Sequence, residues 1–521
     1  MKDSLFSLRG IESGEKYMVL MLLAQALFLG IFIGAFDISA HSLFLAIFDE
    51  KMLAKGYIVS GLAGIVLLSV YFFLQTRMKF RNFGFLNLIT ITAITIFLWI
   101  SLVNNPSKWV IFLVFIMLGP LNIISIMGFR TAAGAMFAHL KGKRLFAIVD
   151  TSLIVGIIIS CFSIPILLSV NFKLHNVLLL SAISVFVSAL FQGMAGDRLI
   201  LAGGIIDHQP DGLKSTVSLL NIFREDSYSR ILGIFIILSV ISAFFIQYSF
   251  LAVTREKFPA GEDMARFLGI FTGGIMILTL AGKLLLFTYL LKNYGLKVCL
   301  TISPVLLAVF TAIAIAFGMF MGYTMETASG FLMFFILLAL IRFLSKSMDD
   351  SIESRSFKLL YQTIDEKVRF GVQSIMDSAV KEAAAFLAGL ILAGIGVLSF
   401  INLIHFSWIL IIILIVWLFV AFRLYSEYRN SVKKGLESLK SEDLATDKSD
   451  EPVIFNNRFY GERAFRLDYF NLISGDLSQF GKIDNRFYFK KIIDHTLLNQ
   501  DINLLPLVKK MAVNHFDKEI R

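Results

Sequence analysis

Asp37 and His41 stand one helical turn apart within an apolar stretch, FDISAHSLFL. An acid and an imidazole at that spacing share a helix face, where they can relay a proton or hold a cation. Lys283 lies between Leu280-Ala281-Gly282 and a run of leucines. There it either faces a solute or snorkels to an interface. Asp150 and Asp377 each open a long apolar stretch, shortly after Arg144 and Arg369 respectively. Arg130 precedes Arg144 by the same interval as Arg355 precedes Arg369, and Lys381 and Glu382 follow Asp377 by about one turn. Repeated arginines and aspartates at the mouth of an apolar span are suited to a salt-bridged gate, or to a basic funnel for an anion.

The elements that hold these residues must be membrane helices. The chain has 521 residues, 57% hydrophobic and 17% charged, with a mean hydropathy of +0.78. About 20 apolar residues are needed to cross a bilayer. Twelve such runs are read at 17–48, 56–75, 83–103, 109–128, 145–170, 174–194, 231–253, 265–291, 296–322, 328–345, 379–400 and 403–422. The alternation of a β-barrel strand is absent. Residues 1–16 are polar and the run after them is too long for a signal-peptide core, so the first span is expected to be retained. Cys161 and Cys299 both fall in apolar runs and read as small buried hydrophobes rather than as a disulfide or metal site. No phosphate-cradling loop, nucleophile–base pair or metal motif stands out, so neither an enzyme nor a cofactor is expected. The net charge of +10 is accounted for by basic loops on one side, without nucleic acid. That bias predicts that both chain ends are cytoplasmic.

The chain reads as two related halves. Phe44-Leu45-Ala46-Ile47-Phe48-Asp49-Glu50-Lys51 after the first span answers to Phe250-Leu251-Ala252-Val253-Thr254-Arg255-Glu256-Lys257 after the seventh. Ile148-Val149-Asp150-Thr151 answers to Ile375-Met376-Asp377-Ser378. Repeated six-span halves of one orientation predict an all-α major facilitator fold with a pseudo-twofold axis along the membrane normal. The expected units are 1–194, a linker with an amphipathic surface helix at 195–230, a second half at 231–425, a charged helix and flexible linker at 426–452, and a helical cytoplasmic region at 453–521. In that last region, paired short helices around Ile483–Ile493 and Leu504–Met511 resemble the start of HEAT-type repeats.

The stretch from Arg355 through Asp365-Glu366-Lys367 and Arg369 to Asp377 resembles the loop before the eleventh span of the ATP:ADP antiporter family. Gly128-Phe129-Arg130 to Lys143-Arg144-Leu145-Phe146 is similar to the corresponding first-half loop. Members of that family carry basic residues late in the first span, where this chain has Asp37. The resemblance spans roughly 17–425 and implies a nucleotide carrier of major-facilitator type. The expected protein is thus a multi-pass carrier of a small organic anion, first of all a nucleotide, in a bacterial inner membrane. Its path runs between the halves, past Asp37, His41 and Lys283, lined by spans one, four, seven and ten and flanked by two, five, eight and eleven. Proton coupling through Asp37 and His41 is part of that expectation, as is a protein partner for the C-terminal helices. The alternatives are a non-transporting scaffold or receptor, and a lipid translocator.

Overall fold

The computed structural model describes residues 13–77, 80–139, 143–202, 227–323, 328–364, 366–397 and 402–446. In hydrocarbon the backbone has no water to bond, so a chain this apolar must satisfy each N–H and C=O internally, and every regular element described is helical. The first half is α1 (Ser13–Ile47), α2 (Glu50–Arg77), α3 (Phe80–Asn104), α4 (Lys108–His139), α5 (Lys143–Ser169) and α6 (Leu174–Ala202). The second begins with α7 (Ser227–Lys257) and α8 (Gly261–Ala281), which passes through a π turn (Gly282–Leu286) into α9 (Phe287–Met321). Next come α10 (Ala328–Met348), a second π turn (Asp349–Glu353), α11 (Ser354–Leu360) and α12 (Glu366–Ile375). A third π turn (Met376–Val380) leads to α13 (Lys381–Gly396), followed by α14 (Leu403–Thr446).

Gly261–Met321 is 61 residues of nearly unbroken helix. At 1.5 Å per residue that is about 90 Å, some three times a bilayer's hydrocarbon. Gly295 resolves the excess: its φ of 77° and ψ of 178° break the helix in a region that essentially only glycine enters. Among the described residues the eleven apolar stretches therefore hold twelve crossings, with the eighth and ninth joined at one residue.

Within the first half α1 packs on α5 and α6, and within the second α7 packs on α10 and α13. The halves meet along two seams, α2 against α13 and α5 against α8. The pseudo-twofold maps one seam onto the other, because the second span answers to the eighth and the fifth to the eleventh. Small residues let the backbones close at the first seam: a Cβ on Gly389 would stand 2.7 Å from the Ile58 amide nitrogen. Inside the first half Gly30 and Gly156 face one another, and a Cβ on Gly156 would run into the Leu27 carbonyl oxygen. Gly156→Val is therefore expected to cost about 1–3 kcal/mol through overpacking. Thermal unfolding in detergent checks this, with Gly394→Val as the silent control, since nothing lies within 4 Å of that site.

Two expected loops are helical. Arg130 lies inside α4, and Arg355 to Leu360 form α11. Hydropathy marks where apolar residues stop, whereas a helix runs on for as long as its backbone is satisfied. The amphipathic segment expected around 213–224 and the HEAT-like region at 453–521 lie outside the described residues.

Candidate functional site

A cavity of about 340 Å³ opens between the halves, inside the range of pockets that hold metabolites. Its walls come from α1, α4, α5, α7, α8, α10 and the first and second π turns. Spans one, four, seven and ten line it as expected, and the flanking spans five and eight contribute too. Three polar arrays sit in it.

The first array joins the halves side chain to side chain. His41 Nδ1 lies 2.9 Å from the Asp37 carbonyl oxygen and 3.4 Å from the Asp37 carboxylate. His41 Nε2 lies 2.9 Å from Gln247 Nε2, and Arg342 Nη2 donates to Gln247 Oε1 at 3.2 Å. A guanidinium only donates, so the amide oxygen must face Arg342. The amide nitrogen then donates to His41 Nε2, which must be the acceptor. The ring hydrogen is left on Nδ1, aimed at Asp37. A neutral imidazole therefore satisfies the whole chain of bonds.

The second array is a bridge between α5 and the first π turn, at the end of α8. Lys283 Nζ lies 2.9 Å from Asp150 Oδ2, with side-chain exposures of only 13% and 24%. Arg130 approaches the other carboxylate oxygen at 3.8 Å. Arg355 Nη1 donates to the Lys283 carbonyl at 2.7 Å, which steadies the π turn that carries the lysine. Lys283 thus turns into the cavity rather than snorkelling outward. In the third array Lys346 lies 3.1 Å from Asp350 and 3.9 Å from Asp349.

Of the expected site residues, Asp37, His41, Lys283, Arg130 and Asp150 converge on the cavity, with Arg355 just behind them. The others are placed elsewhere. Arg369 donates to the Ile364 and Gln362 carbonyls and closes its own turn. Asp377 accepts from Tyr361 Oη at 3.2 Å. Glu382 is buried against Gly64 in the α2–α13 seam, and Lys381 makes no ion pair among the described residues. Arg144 lies in the first turn of α5, and its side chain is outside the description. Gln247, Arg342, Lys346 and Asp350 are the lining residues that sequence reasoning left out. By composition alone Arg342, near the end of the 328–345 run, counts with the basic residues of the cytoplasmic side.

The far end of the interface has its own clasp. Arg255 Nη2 lies 2.8 Å from Asp49 Oδ1, Nη1 3.4 Å from Glu50 Oε2, and Nε donates to the Leu45 carbonyl at 3.2 Å. Asp49 and Arg255 occupy the same position of the internal repeat, FLAIFDEK against FLAVTREK. Equivalent residues near a twofold axis face each other. An acid and a base at one repeat position was therefore a signal for this pair. Among the described residues no three metal-ligating side chains converge.

No protein-family model and no curated protein matches the sequence. Solved structures do match. A point mutant of the nucleoside transporter NupG superposes with a TM-score of 0.55 at 15% identity, covering 78% of this chain and 99% of that one. NupG itself gives 0.52 at 15% identity, covering 78% and 98%. A bacterial homologue of the iron transporter ferroportin, inward-facing, gives 0.53 at 14%, also covering 78% and 98%. The fold is that of the major facilitator transporters. In a major facilitator bundle the space between the halves is where alternating access takes place. The cavity and its two charged ends lie along that space.

Proposed function

We propose that this chain is a secondary transporter that moves a small organic anion across the membrane by alternating access. Arg342 carries the reading. Arg130 and Lys283 share Asp150, and Lys346 is held by Asp350. Arg342 alone among the cavity's cations is bound to a neutral amide. An anionic group entering the cavity can displace Gln247 and take the guanidinium's donors pairwise. The cation missing from the late first span is thus supplied by the tenth. The lining holds four cations against three carboxylates, a surplus suited to one anionic group on the solute.

A nucleotide is the first candidate for that solute. It is supported by the likeness of the Arg130 and Arg355 stretches to the ATP:ADP antiporters, and a nucleoside transporter shares the fold. Protonation of Asp37, linked to Arg342 through His41 and Gln247, would raise the cavity's net charge as the anion enters and so couple the two flows. The Lys283–Asp150 bridge closes the basic, cytoplasmic end, and the Arg255 clasp closes the other. The membrane is the bacterial inner membrane, with both chain ends in the cytoplasm.

The test is uptake of labelled nucleoside monophosphates, with free nucleosides in parallel, into proteoliposomes under an imposed pH gradient. The phosphorylated form is expected to accumulate and the uncharged one not. Asp37→Asn should retain solute exchange while losing accumulation driven by the pH gradient. Uptake that is indifferent to Asp37→Asn and to Lys283→Ala would sink the proposed path.

A further inference from the structure

The second half contains a buried acid that the solute path does not use. Glu353, at the end of the second π turn, is 3% exposed and lies outside the cavity lining. Ser239 Oγ on α7 donates to its Oε2 at 2.6 Å. Ser303 on α9 presents a second buried hydroxyl that stops short of a formed hydrogen bond. The charged groups within electrostatic reach are Asp349 on the same turn and Lys381 on α13. Neither forms an ion pair with Glu353, which has no cation partner among the described residues. From the first π turn, Gly282 packs against Ser351, and the neighbouring Lys283 points away toward Asp150.

A carboxylate taken out of water with hydroxyl donors and no cation is among the costliest arrangements in a membrane protein. A carboxylic acid in the same place is not, since it is uncharged and can both accept from Ser239 and donate. We propose that Glu353 is a proton-binding site, that it carries its proton in the closed-cavity state described here, and that loss of this proton opens the Lys283–Asp150 end. The coupling half of the proposal rests on reading this chain as a carrier.

The coupling follows from where the acid is built in. Glu353 and Asp350 lie on one π turn, and Asp350 faces the cavity and holds Lys346. That turn packs on the first π turn, which carries Lys283, and Arg355 joins the two through the Lys283 carbonyl. Among the described residues, all three π turns lie in the second half, each beside or containing a charged residue, and the first half has none. Such turns are rare and occur frequently at functional sites. A deprotonated Glu353 must reach a cation, and Lys381 on α13 of the same half is the one within electrostatic range. Swinging to it unwinds the turn, withdraws Asp350 from Lys346 and shifts the seat of Lys283. The proton released leaves for the aqueous phase at the opened end.

Two measurements on the full chain in liposomes test this, and neither needs a solute. Infrared spectra at neutral pH should contain the carbonyl stretch of a water-shielded carboxylic acid. It should vanish in Glu353→Gln, shift in Ser239→Ala and persist in Asp37→Asn. A spectrum that Glu353→Gln leaves unchanged, with Ser239→Ala silent too, means that the group is ionised, and overturns the proposal. In a Cys161→Ser, Cys299→Ser background, Thr272→Cys reports cavity opening through its reaction with an impermeant thiol reagent. The reaction rate should rise severalfold on alkalinisation in the parent, and Glu353→Gln should hold it at the low rate. Equal pH dependence in both overturns the coupling even where the infrared band is present. Should uptake fail for every anion tried while both readouts behave as expected, the solute assignment is wrong and the proton site stands.

Discussion

Arg342→Ala is expected to abolish high-affinity binding of the anionic solute while leaving the bundle folded. The guanidinium sits in a cavity largely shielded from water, and among the described residues its hydrogen bond is to the Gln247 amide oxygen. Its loss breaks no direct ion pair and withdraws only a longer-range attraction from Asp37, so melting in detergent should move less than binding does. An anion in the cavity would lose its only unpaired cation. Removing one partner of a buried, hydrogen-bonded charge pair costs about 2–5 kcal/mol, and even 3 kcal/mol is a loss of more than about 100-fold in affinity. Arg342→Lys keeps the charge but not the planar fork, so it should lie between, with a clear loss for phosphates, which use two donors at once. Gln247→Leu provides the internal contrast. It removes the neutral competitor for the guanidinium and cuts the bond to His41, so anion affinity should hold or rise while the pH dependence changes. Equilibrium binding of nucleoside monophosphates to the purified protein reads all three. Affinity that survives Arg342→Ala unchanged would show that the solute binds elsewhere.

That residue also marks where the sequence was hard to read. The architecture was legible because the bilayer imposes a length: about 20 apolar residues make a crossing, and repeated six-span halves make the fold. Asp37 and Lys283 stood out because a charge inside an apolar run is expensive wherever it is seen. Arg342 sits near the end of its 328–345 run, where a basic residue counts toward the charge bias of the cytoplasmic side. The helix continues to Met348 and through the π turn to Glu353, carrying its charges inward. The signal was periodic rather than compositional. Arg342, Lys346, Asp349, Asp350 and Glu353 recur at three- and four-residue intervals, the stripe of a helix with one polar face.

The repeat was informative for fold and misleading for partners. Asp150 and Asp377 are equivalent by sequence, yet one holds Lys283 across the interface and the other bonds Tyr361 in its own half. Local spacing places a side chain on a helix face. What it meets depends on neighbours in other elements, 133 positions away for Asp150 and 16 for Asp377, and the two halves have diverged in those. The Asp49–Arg255 pair is the opposite case, in which the repeat itself brought the partners together at the axis.

Breaking the bridge at the basic end should bias the carrier toward the state open on that side, and the two partners should not be equal. Lys283→Met leaves Asp150 with Arg130, 3.8 Å away and free to move closer. Asp150→Asn leaves Lys283 and Arg130 facing each other with no carboxylate between them. Breaking a buried pair costs about 3–5 kcal/mol. Partial exposure at this site screens part of that, so a shift of about 1–3 kcal/mol in the closed-to-open balance is expected, or roughly 5- to 150-fold in population. Asp150→Asn should lie at the upper end and Lys283→Met at the lower. The double variant Lys283→Met, Asp150→Asn should fall back toward Lys283→Met, because it removes the repulsion that the single asparagine creates. The charge swap Lys283→Asp, Asp150→Lys should recover little, since Arg130 would then oppose the new lysine. Spin labels on the ends of α5 and α8, read by pulsed electron–electron distances in liposomes, give the populations directly. A bridge that only anchors these helices to the membrane surface would leave the distance distributions of all four variants superimposable on the parent. A bridge that gates would order them as stated, with Asp150→Asn the most open.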